Sequence, residues 1–246
     1  MKLAILSDIH ANLEALTACL AHARRHGADA WAFTGDLVGY GADPHACLGI
    51  VRDLAAQGAI VLRGNHDDAA LGGLWPDMNP VSREAAVWTR SRLGEAERDF
   101  LAALPYVVAR KDLLFVHASA AQPENWEYIV GPAAAARCLA ATEAKIVFGG
   151  HVHHPRLYFS ARGDVSAFVP RPGIAVPLSA GRRWLALAGS VGQPRDGNPA
   201  ASYLLFDGVS RRLTFYRVAY DWLTAAAKIR AAGLPNTLAQ RLEHGL

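Results

Sequence analysis

The chain has 246 residues, of which 52% are hydrophobic and 19% charged, a balance typical of a folded globular protein and not of a disordered one. Its formal net charge is only +3 and its arginine pairs are scattered, which argues against a dedicated nucleic-acid surface. No apolar run approaches the roughly 20 residues of a membrane-spanning helix, and no signal-peptide core is present, so we expect a soluble protein of the cytoplasm.

Strands and helices alternate in the first quarter of the chain. Leu3–Leu6, Ala30–Phe33 and Ile60–Leu62 are short apolar runs of the length of buried strands. Asn12 and Asp43 are the predicted N-caps of two helices that lie between these strands. Such alternation predicts parallel strands with helices packed outside the sheet.

The middle of the chain breaks this alternation. Residues 68–104 contain a helix start at Asn79 and apolar residues at helical spacing, which predicts a helical insertion or cap. From Val107 onward most apolar runs have the length of strands, and the last predicted helix begins at Asp221. Because no repeat, low-complexity tract or linker interrupts the chain, we expect residues 1–246 to form a single domain.

Polar motifs follow several of the predicted strands, at the points where the strands end. The carboxyl ends of neighbouring parallel strands open into one crevice, so side chains that follow them can converge. Two carboxylates, one amide oxygen and four imidazoles are enough to hold two divalent metal ions. These candidate ligands are Asp8, His10, Asp36, Asn65, His117, His151 and His153.

This set of ligands predicts both the metals and the chemistry. Mixed nitrogen and oxygen ligation without thiolate favours Mn²⁺ foremost, with Fe, Zn, Co and Ni as alternatives, over Ca²⁺ or a structural zinc. Two such ions about 3.5–4 Å apart lower the pKa of a bridging water and hold phosphoryl oxygens for in-line attack. His66, which adjoins Asn65, is placed to protonate the leaving group or to stabilise the transition state, and it is the candidate catalytic residue.

The motifs also resemble those of a known family. In chain order they are Asp8-x-His10, Gly35-Asp36, Gly64 to Asp67, His117 and Gly150-His151-x-His153, which is the pattern of the calcineurin-like metallophosphoesterases. The segment 189–196 is similar to that of their small bacterial, single-domain, phosphodiesterase-like branch. The resemblance implies an α/β fold, a four-layer β-sandwich flanked by helices.

The resemblance further implies how the ligands are divided between two metals. Asp36 would bridge them, and a hydroxide held between the metals would be the nucleophile. The implied ligands are Asp8, His10, Asp36 and His153 for one metal, and Asp36, Asn65, His117 and His151 for the other.

Two departures from the family indicate the substrate class. Gly39 and Tyr40 stand where related protein phosphatases carry an Asp that orients the catalytic His and an Arg that grips a dianionic phosphate. Without that guanidinium we expect a phosphodiesterase acting on a small-molecule or nucleotide diester. A phosphomonoesterase or protein phosphatase and a dinucleotide pyrophosphohydrolase are the alternatives. A non-enzymatic metal-binding scaffold is disfavoured, because such relatives lose the residue equivalent to His66.

Three residues outside the ligand set are candidate substrate contacts: Tyr40, His154 and Arg195. Arg195 could bind phosphate or pair with its neighbour Asp196. His154 follows a candidate ligand directly, so on an extended segment its side chain should point away from the crevice. Tyr128 also lies near the motifs, where it could line a pocket or pack in the core.

Three isolated cysteines, Cys19, Cys47 and Cys138, lie among apolar residues at helical spacing. They are predicted to be buried thiols, which agrees with a reducing cytoplasm. The expected partner is the phosphoester substrate, with no membrane or nucleic acid, and association into homo-oligomers is left open.

Overall fold

Two six-stranded sheets pack face to face at the centre of the computed structural model, which describes residues 1–73, 78–161 and 163–246. Their strands in chain order are β1 Lys2–Leu6, β2 Ala30–Phe33, β3 Ile60–Val61, β4 Val107–Arg110, β5 Leu113–Val116, β6 Ile146–Gly149, β7 Pro155–Ala161, β8 Asp164–Phe168, β9 Ala175–Pro177, β10 Arg183–Ala188, β11 Ala201–Asp207 and β12 Arg212–Val218. The first sheet has the order β3-β2-β1-β11-β12-β9 and the second the order β4-β5-β6-β10-β7-β8. The expected α/β sandwich is confirmed.

Helices flank both sheets, as expected for four layers. α1 packs against the first sheet and α6 against the second. The helices are α1 Leu13–Arg25, α2 Pro44–Ala56, α3 Asn65–Leu71, α4 Pro80–Arg92, α5 Glu95–Ala103, α6 Pro132–Ala140, α7 Trp222–Ala231 and α8 Asn236–His244.

The alternation of side chains along each strand sorts the apolar residues into these layers. In β1, Leu3 and Ile5 belong to the core between the two sheets. Ala4 and Leu6 point the other way and belong to the core beneath α1 and α2. A third core, which includes Cys138 of α6, covers the outer face of the second sheet. The layer order is therefore helix, sheet, sheet, helix.

The pairing of the strands determines where the loops of the motifs meet. β1 pairs in parallel with β2, and β2 with β3, which confirms the parallel pairing expected in the first part of the chain. β5 also pairs in parallel with β6. Within each sheet the carboxyl ends of these strands point to the same edge. The loops that leave this edge carry the candidate ligands.

The helical region expected over residues 68–104 consists of separate helices, and its residues 74–77 lie outside the described part of the chain. α3 already begins at Asn65, inside the third motif. The predicted start of α4 at Asn79 is confirmed, and the side chain of Asn79 accepts a hydrogen bond from Ser82 N–H at 2.9 Å. The helical stretch expected through residue 104 is interrupted, since α4 ends at Arg92 and α5 begins after Gly94. Gly94 N–H donates to the Glu97 carboxylate at 2.8 Å, which caps the start of α5.

The helix predicted after Asp221 is confirmed as α7, but the sequence prediction omits α8. This last helix packs on α7, and its buried residues, which include Leu238 and Leu242, share a core with residues of α4. The hydrophobic core that contains Leu238 and Leu242 also contains the ring of Tyr40, which is 4% exposed. The carboxyl-terminal helices therefore support a loop of the candidate site.

The three cysteines are free and buried, as the sequence predicts. Cys19 and Cys47 lie in the core beneath the first two helices, and Cys138 lies in the core beneath α6. Among the described residues, no helix combines the length and the apolar character needed to span a bilayer.

Asn12 links the start of α1 to the distant segment 189–196, which allows a matched test. Its Oδ1 accepts from Ala15 N–H at 3.1 Å, and its Nδ2 donates to the Gly192 carbonyl at 2.9 Å. Asn79 is also an N-cap asparagine but is exposed. Replacing Asn12 by Ala should lower the free energy of unfolding by about 2–3 kcal/mol, because a cap and a buried hydrogen bond are both lost.

The matched control is Asn79→Ala, which loses only the cap and should cost about 1 kcal/mol. Urea denaturation of the two variants measures the difference. Equal losses would contradict a structural link between Asn12 and Gly192.

Candidate metal centre

The predicted ligands converge at the carboxyl ends of β1, β2, β3, β5 and β6, where Asn65 is half-buried and the others are buried. The structure brings them together as two groups that share Asp36. In each group the candidate ligand atoms lie within 4.8 Å of one another. The first group is Asp8, His10, Asp36 and His153, and the second is Asp36, His117 and His151.

The first group is centred on two imidazole nitrogens. His10 Nε2 and His153 Nε2 are 3.1 Å apart. His153 Nε2 lies 3.3 Å from Asp8 Oδ1, and His10 Nε2 lies 3.6 Å from Asp36 Oδ2. These four side chains thus point nitrogen and oxygen lone pairs at one small volume.

The second group has the same character, and the Asn65 amide that the sequence predicts as a ligand lies beside it. His117 Nε2 lies 3.1 Å from Asn65 Oδ1 and 3.4 Å from Asp36 Oδ2. The His117 and His151 rings meet edge to face with centroids 5.0 Å apart. Asp36 Oδ2 therefore lies near nitrogens of both groups.

Backbone carbonyls determine which nitrogen of each imidazole is free. A carbonyl can only accept a hydrogen bond, so the ring nitrogen beside it carries the proton. In the neutral ring the other nitrogen is then bare and can bind a metal. The four contacts are His10 Nδ1 to Val38 O at 3.2 Å, His117 Nδ1 to Thr34 O at 2.8 Å, His151 Nε2 to Trp126 O at 2.9 Å and His153 Nδ1 to Gln193 O at 2.5 Å.

The charges of these groups fit divalent cations. Burial would raise the pKa of Asp36, but the imidazoles around it, His117 first, hold that pKa well below its usual range. Burial lowers the pKa of His151 to about 3, which leaves this imidazole neutral. Burial also lowers the pKa of His117, but the Asp36 carboxylate outweighs it and raises that pKa to about 9. The site thus attracts positive charge strongly, whether a proton or a metal ion.

One orphaned atom supports the same conclusion. Asp36 Oδ2 is buried and has no hydrogen-bond partner among the described residues, although Oδ1 of the same carboxylate accepts from His66 N–H at 2.8 Å. Leaving a buried carboxylate oxygen unpaired is costly. The facing acceptors His10 Nε2 and His153 Nε2 would also repel each other without a cation or proton between them. The residues present therefore fit a pair of divalent cations.

The backbone at the centre is strained in a way that is unusual for residues with side chains. Five of the seven predicted ligands have the left-handed conformation, which costs about 1–3 kcal/mol each for such residues. The φ angles are 54° for Asp8, 49° for His10, 53° for Asp36, 67° for His151 and 61° for His153. Strain of this kind persists only where the surrounding structure holds it.

Asp67 supplies part of that support. Its Oδ1 accepts from the N–H groups of Leu37 and Val38 at 2.9 and 3.2 Å, and its Oδ2 accepts from Gly64 N–H at 2.9 Å. This one buried carboxylate therefore joins the loop that carries Asp36 to the start of α3.

Two glycines allow the loops to approach one another closely. A Cβ on Gly150 would lie 1.8 Å from Ser7 Oγ and 2.3 Å from Asp8 Oδ2. A Cβ on Gly64 would lie 2.2 Å from Asp36 Oδ1. Both carboxylates are therefore packed directly against main chain, where only glycine fits.

His66 lies in the first turn of α3, against the first group of ligands. Its ring meets the His10 ring edge to face with centroids 4.9 Å apart, and burial lowers its pKa to about 4 against the opposing charge of Asp36. His66 Nδ1 is buried and has no hydrogen-bond partner within the described chain. A Cβ on Gly39 would lie 2.8 Å from this nitrogen. A side chain at position 39 would therefore contact His66 Nδ1, whereas glycine leaves this nitrogen free of contact from that position.

The structure brings Tyr40 and Arg195 together beside His66. The Tyr40 ring lies 4.3 Å from the His66 ring, and its Oη lies 2.8 Å from Ser82 Oγ. Arg195 Nη2 donates to Tyr40 Oη at 3.3 Å and to Gln193 Oε1 at 3.0 Å.

The alternative pairing of Arg195 with Asp196 is wrong, because Asp196 forms its ion pair with Arg217. Within the described residues Arg195 has no carboxylate partner. Its positive charge is therefore available at the edge of the centre.

His154 is not brought together with the ligand set. Its Nδ1 lies 2.8 Å from the Val152 carbonyl, and the side chain lines a separate cavity of about 200 Å³ with Ile129 and Arg156. This agrees with the expected outward direction and counts against His154 as a substrate contact.

Sequence reasoning missed the four carbonyl acceptors, because every residue type carries one and no side-chain pattern marks them. It also missed how the segment 189–196 supports the centre. Ser190 Oγ and Gly192 N–H both donate to the Asp8 carbonyl, at 2.8 and 2.9 Å. The resemblance of this segment to one branch of the family was the signal that could have indicated such a role.

Comparison with known proteins gives matches along the whole chain. A sequence model of the family described as calcineurin-like phosphoesterase matches residues 1–155. An uncharacterized protein of Methanocaldococcus jannaschii is 35% identical over 245 residues, which are 98% of this chain and 96% of that protein. The crystal structure of a metallophosphoesterase from Sphaerobacter thermophilus is similar with a TM-score of 0.89 and 40% identity, covering 100% of this chain and 99% of that one.

A more distant structure shows the same fold. A hypothetical protein from Pyrococcus horikoshii has a TM-score of 0.80 at 20% identity, covering 100% of this chain and 98% of that one. Because the family model spans well over half of the chain and a metallophosphoesterase matches it throughout, this protein belongs to the calcineurin-like phosphoesterase family and is a metal-dependent phosphoric ester hydrolase.

Proposed function

We propose that the protein is a dinuclear metal-dependent phosphodiesterase that acts on a small-molecule or nucleotide phosphodiester. The observation that carries this proposal is the position of Asp36 Oδ2, 3.6 Å from His10 Nε2 and 3.4 Å from His117 Nε2, with no hydrogen-bond partner in the described chain. A carboxylate oxygen that lies between imidazole nitrogens of both groups supports two cations side by side.

The ligand sets proposed for the two cations follow the two groups of side chains. Bound divalent cations, Mn²⁺ foremost, would supply Lewis acidity toward the phosphoryl oxygens and an activated water. Asp8, His10, Asp36 and His153 would hold one cation, and Asp36, Asn65, His117 and His151 the other.

His66 would act on the leaving oxygen as a hydrogen-bond donor. Its low pKa and the positive charge of nearby cations keep the imidazole neutral, with one N–H to donate. A donor aimed at the leaving oxygen stabilises the negative charge that develops there as the ester bond breaks.

Arg195 would contact a phosphoryl oxygen and supports a singly charged substrate. Its Nε and Nη2 bond Gln193, and Nη2 also bonds Tyr40, so that Nη1 is left for a ligand. One nitrogen suits the single negative charge of a diester, whereas a dianionic monoester is better held by two parallel bonds from one guanidinium.

A phosphomonoesterase is the second candidate, and Arg195 also provides the argument for it. Sequence reasoning argues against monoesters because Tyr40 replaces an Arg, yet Arg195 Nη2 lies 3.3 Å from Tyr40 Oη. A guanidinium thus reaches this neighbourhood from another segment. Its partial use by Gln193 and Tyr40 makes the diester the first choice.

We also propose that residues 1–246 act as one domain in the cytoplasm. The shared core between the two sheets supports a single folding unit. The three buried free cysteines support a reducing compartment.

The activity is tested on a chromogenic phosphodiester and its matched monoester, with metal-stripped protein and with added Mn²⁺. We expect Mn²⁺-dependent hydrolysis that favours the diester. His66→Asn should lower kcat by at least about 100-fold, since the leaving oxygen loses its donor. His154→Asn, a change of the same kind outside the ligand groups, should retain activity. A preference for the monoester would replace the first candidate by the second.

Metal content tests the shared role of Asp36 independently of activity. After incubation with Mn²⁺ and dialysis, the protein should retain two equivalents of Mn²⁺ by elemental analysis, whereas Asp36→Asn should retain less than one, because both sites lose an anionic ligand. Asp68→Asn is the matched control, since Asp68 pairs with Arg63 at 3.1 Å and belongs to neither group. Two full equivalents in Asp36→Asn would contradict the shared ligand.

A further inference from the structure

An exposed aromatic ring lies directly on one of the candidate metal ligands. The Tyr128 ring stacks on the His151 ring, with centroids 4.0 Å apart and an angle of 27° between the planes. His151 is 4% exposed, whereas Tyr128 is 53% exposed. One face of the tyrosine is therefore covered by a residue of the centre, and much of the ring remains open to solvent.

The backbone holds Tyr128 in this place from both sides. Two residues before it, the Trp126 carbonyl accepts the hydrogen bond that orients His151, at 2.9 Å. One residue after it, Ile129 is 1% exposed, and its carbonyl accepts from Tyr158 Oη at 3.3 Å. The anchored main chain and the stacking on His151 together restrain the ring, so it loses less freedom when a ligand binds.

Arg195, in the segment 189–196, also lies beside the metal centre. Its Nη2 donates to Tyr40 Oη at 3.3 Å, and the Tyr40 ring lies 4.3 Å from the His66 ring. Partial burial raises the pKa of Tyr128, and the charge of Arg195 acts against that rise. Arg195 also lies over the Tyr40 ring, with its guanidinium carbon 5.6 Å from the ring centroid. A cation without a carboxylate partner and an open aromatic face thus border one centre for phosphoryl chemistry.

We propose that Tyr128 is a stacking platform for the substrate and that one ester group of the substrate is a flat aromatic or heteroaromatic ring. An aromatic ring that stacks on a tyrosine gains more than an aliphatic group of the same size, because the two π systems attract in the offset parallel arrangement. Arg195 holds the phosphoryl group next to it. The inference rests on the proposed function, since it places the phosphoryl group at the metal centre.

The test measures binding, so that it does not depend on turnover. Calorimetry on the Mn²⁺-loaded protein compares three non-hydrolysable ligands: phenylphosphonate, cyclohexylphosphonate and methylphosphonate. Cyclohexyl matches phenyl in size but is not flat. We expect phenylphosphonate to bind at least about fivefold more tightly than each of the other two.

Variants of Tyr128 assign this preference to the ring. Tyr128→Ala should remove it, and so should Tyr128→Leu, which keeps the bulk of the side chain. Tyr128→Phe should retain it, because stacking does not need the hydroxyl. Phe168→Ala changes an aromatic residue of the edge strand β8, 38% exposed, and should have no effect.

The outcomes separate the two proposals. If the Mn²⁺-loaded protein does not hydrolyse the chromogenic phosphodiester, the proposed function fails, and this inference fails with it. If it does hydrolyse the diester but none of the three phosphonates binds, only the platform is overturned. If all three bind with similar affinity, or if Tyr128→Leu keeps the preference for phenyl, the phosphoryl site stands and the platform is overturned.

Discussion

Each of the four imidazoles at the metal centre gives an N–H to a main-chain carbonyl, and the remaining ring nitrogen faces the shared volume. The rest of the site depends on this arrangement, because a ring turned the other way would present a proton where a cation must bind. The acceptors come from three different parts of the chain, the loop after β2, the loop before α6 and the segment 189–196. The fold therefore has to hold three loops in place at one edge of the sandwich.

The cost of this arrangement is visible in the backbone and in the buried charges. Left-handed residues and the ionised carboxylates of Asp8 and Asp36 concentrate at the loops that hold the ligands, where hydrogen bonds to Asp67 and close contacts at Gly64 and Gly150 hold the main chain. Asp36 Oδ2 has no hydrogen-bond partner among the described residues. Divalent cations would compensate this buried negative charge, so metal binding and the stability of these loops are linked.

Side-chain chemistry made much of the centre predictable. Ligand types and their order follow directly from the sequence, and short apolar runs such as Leu3–Leu6 mark the strands that carry them. The carbonyl acceptors were not predictable, since the main chain is the same at every residue. Neither was the meeting of Arg195 with Tyr40, because it depends on the packing of distant segments. The omitted α8 follows a Gly-Leu-Pro stop signal, and tertiary contacts of Leu238 and Leu242 stabilise it where local signals end a helix.

The arrangement of side chains around Asp36 predicts two adjacent cation sites that share this carboxylate. Anomalous diffraction at the manganese edge from a crystal soaked in Mn²⁺ tests this prediction most directly. Two peaks are expected: one among Asp8, His10, Asp36 and His153, and one among Asp36, Asn65, His117 and His151. A single peak, or two peaks that do not both contact Asp36, would contradict it.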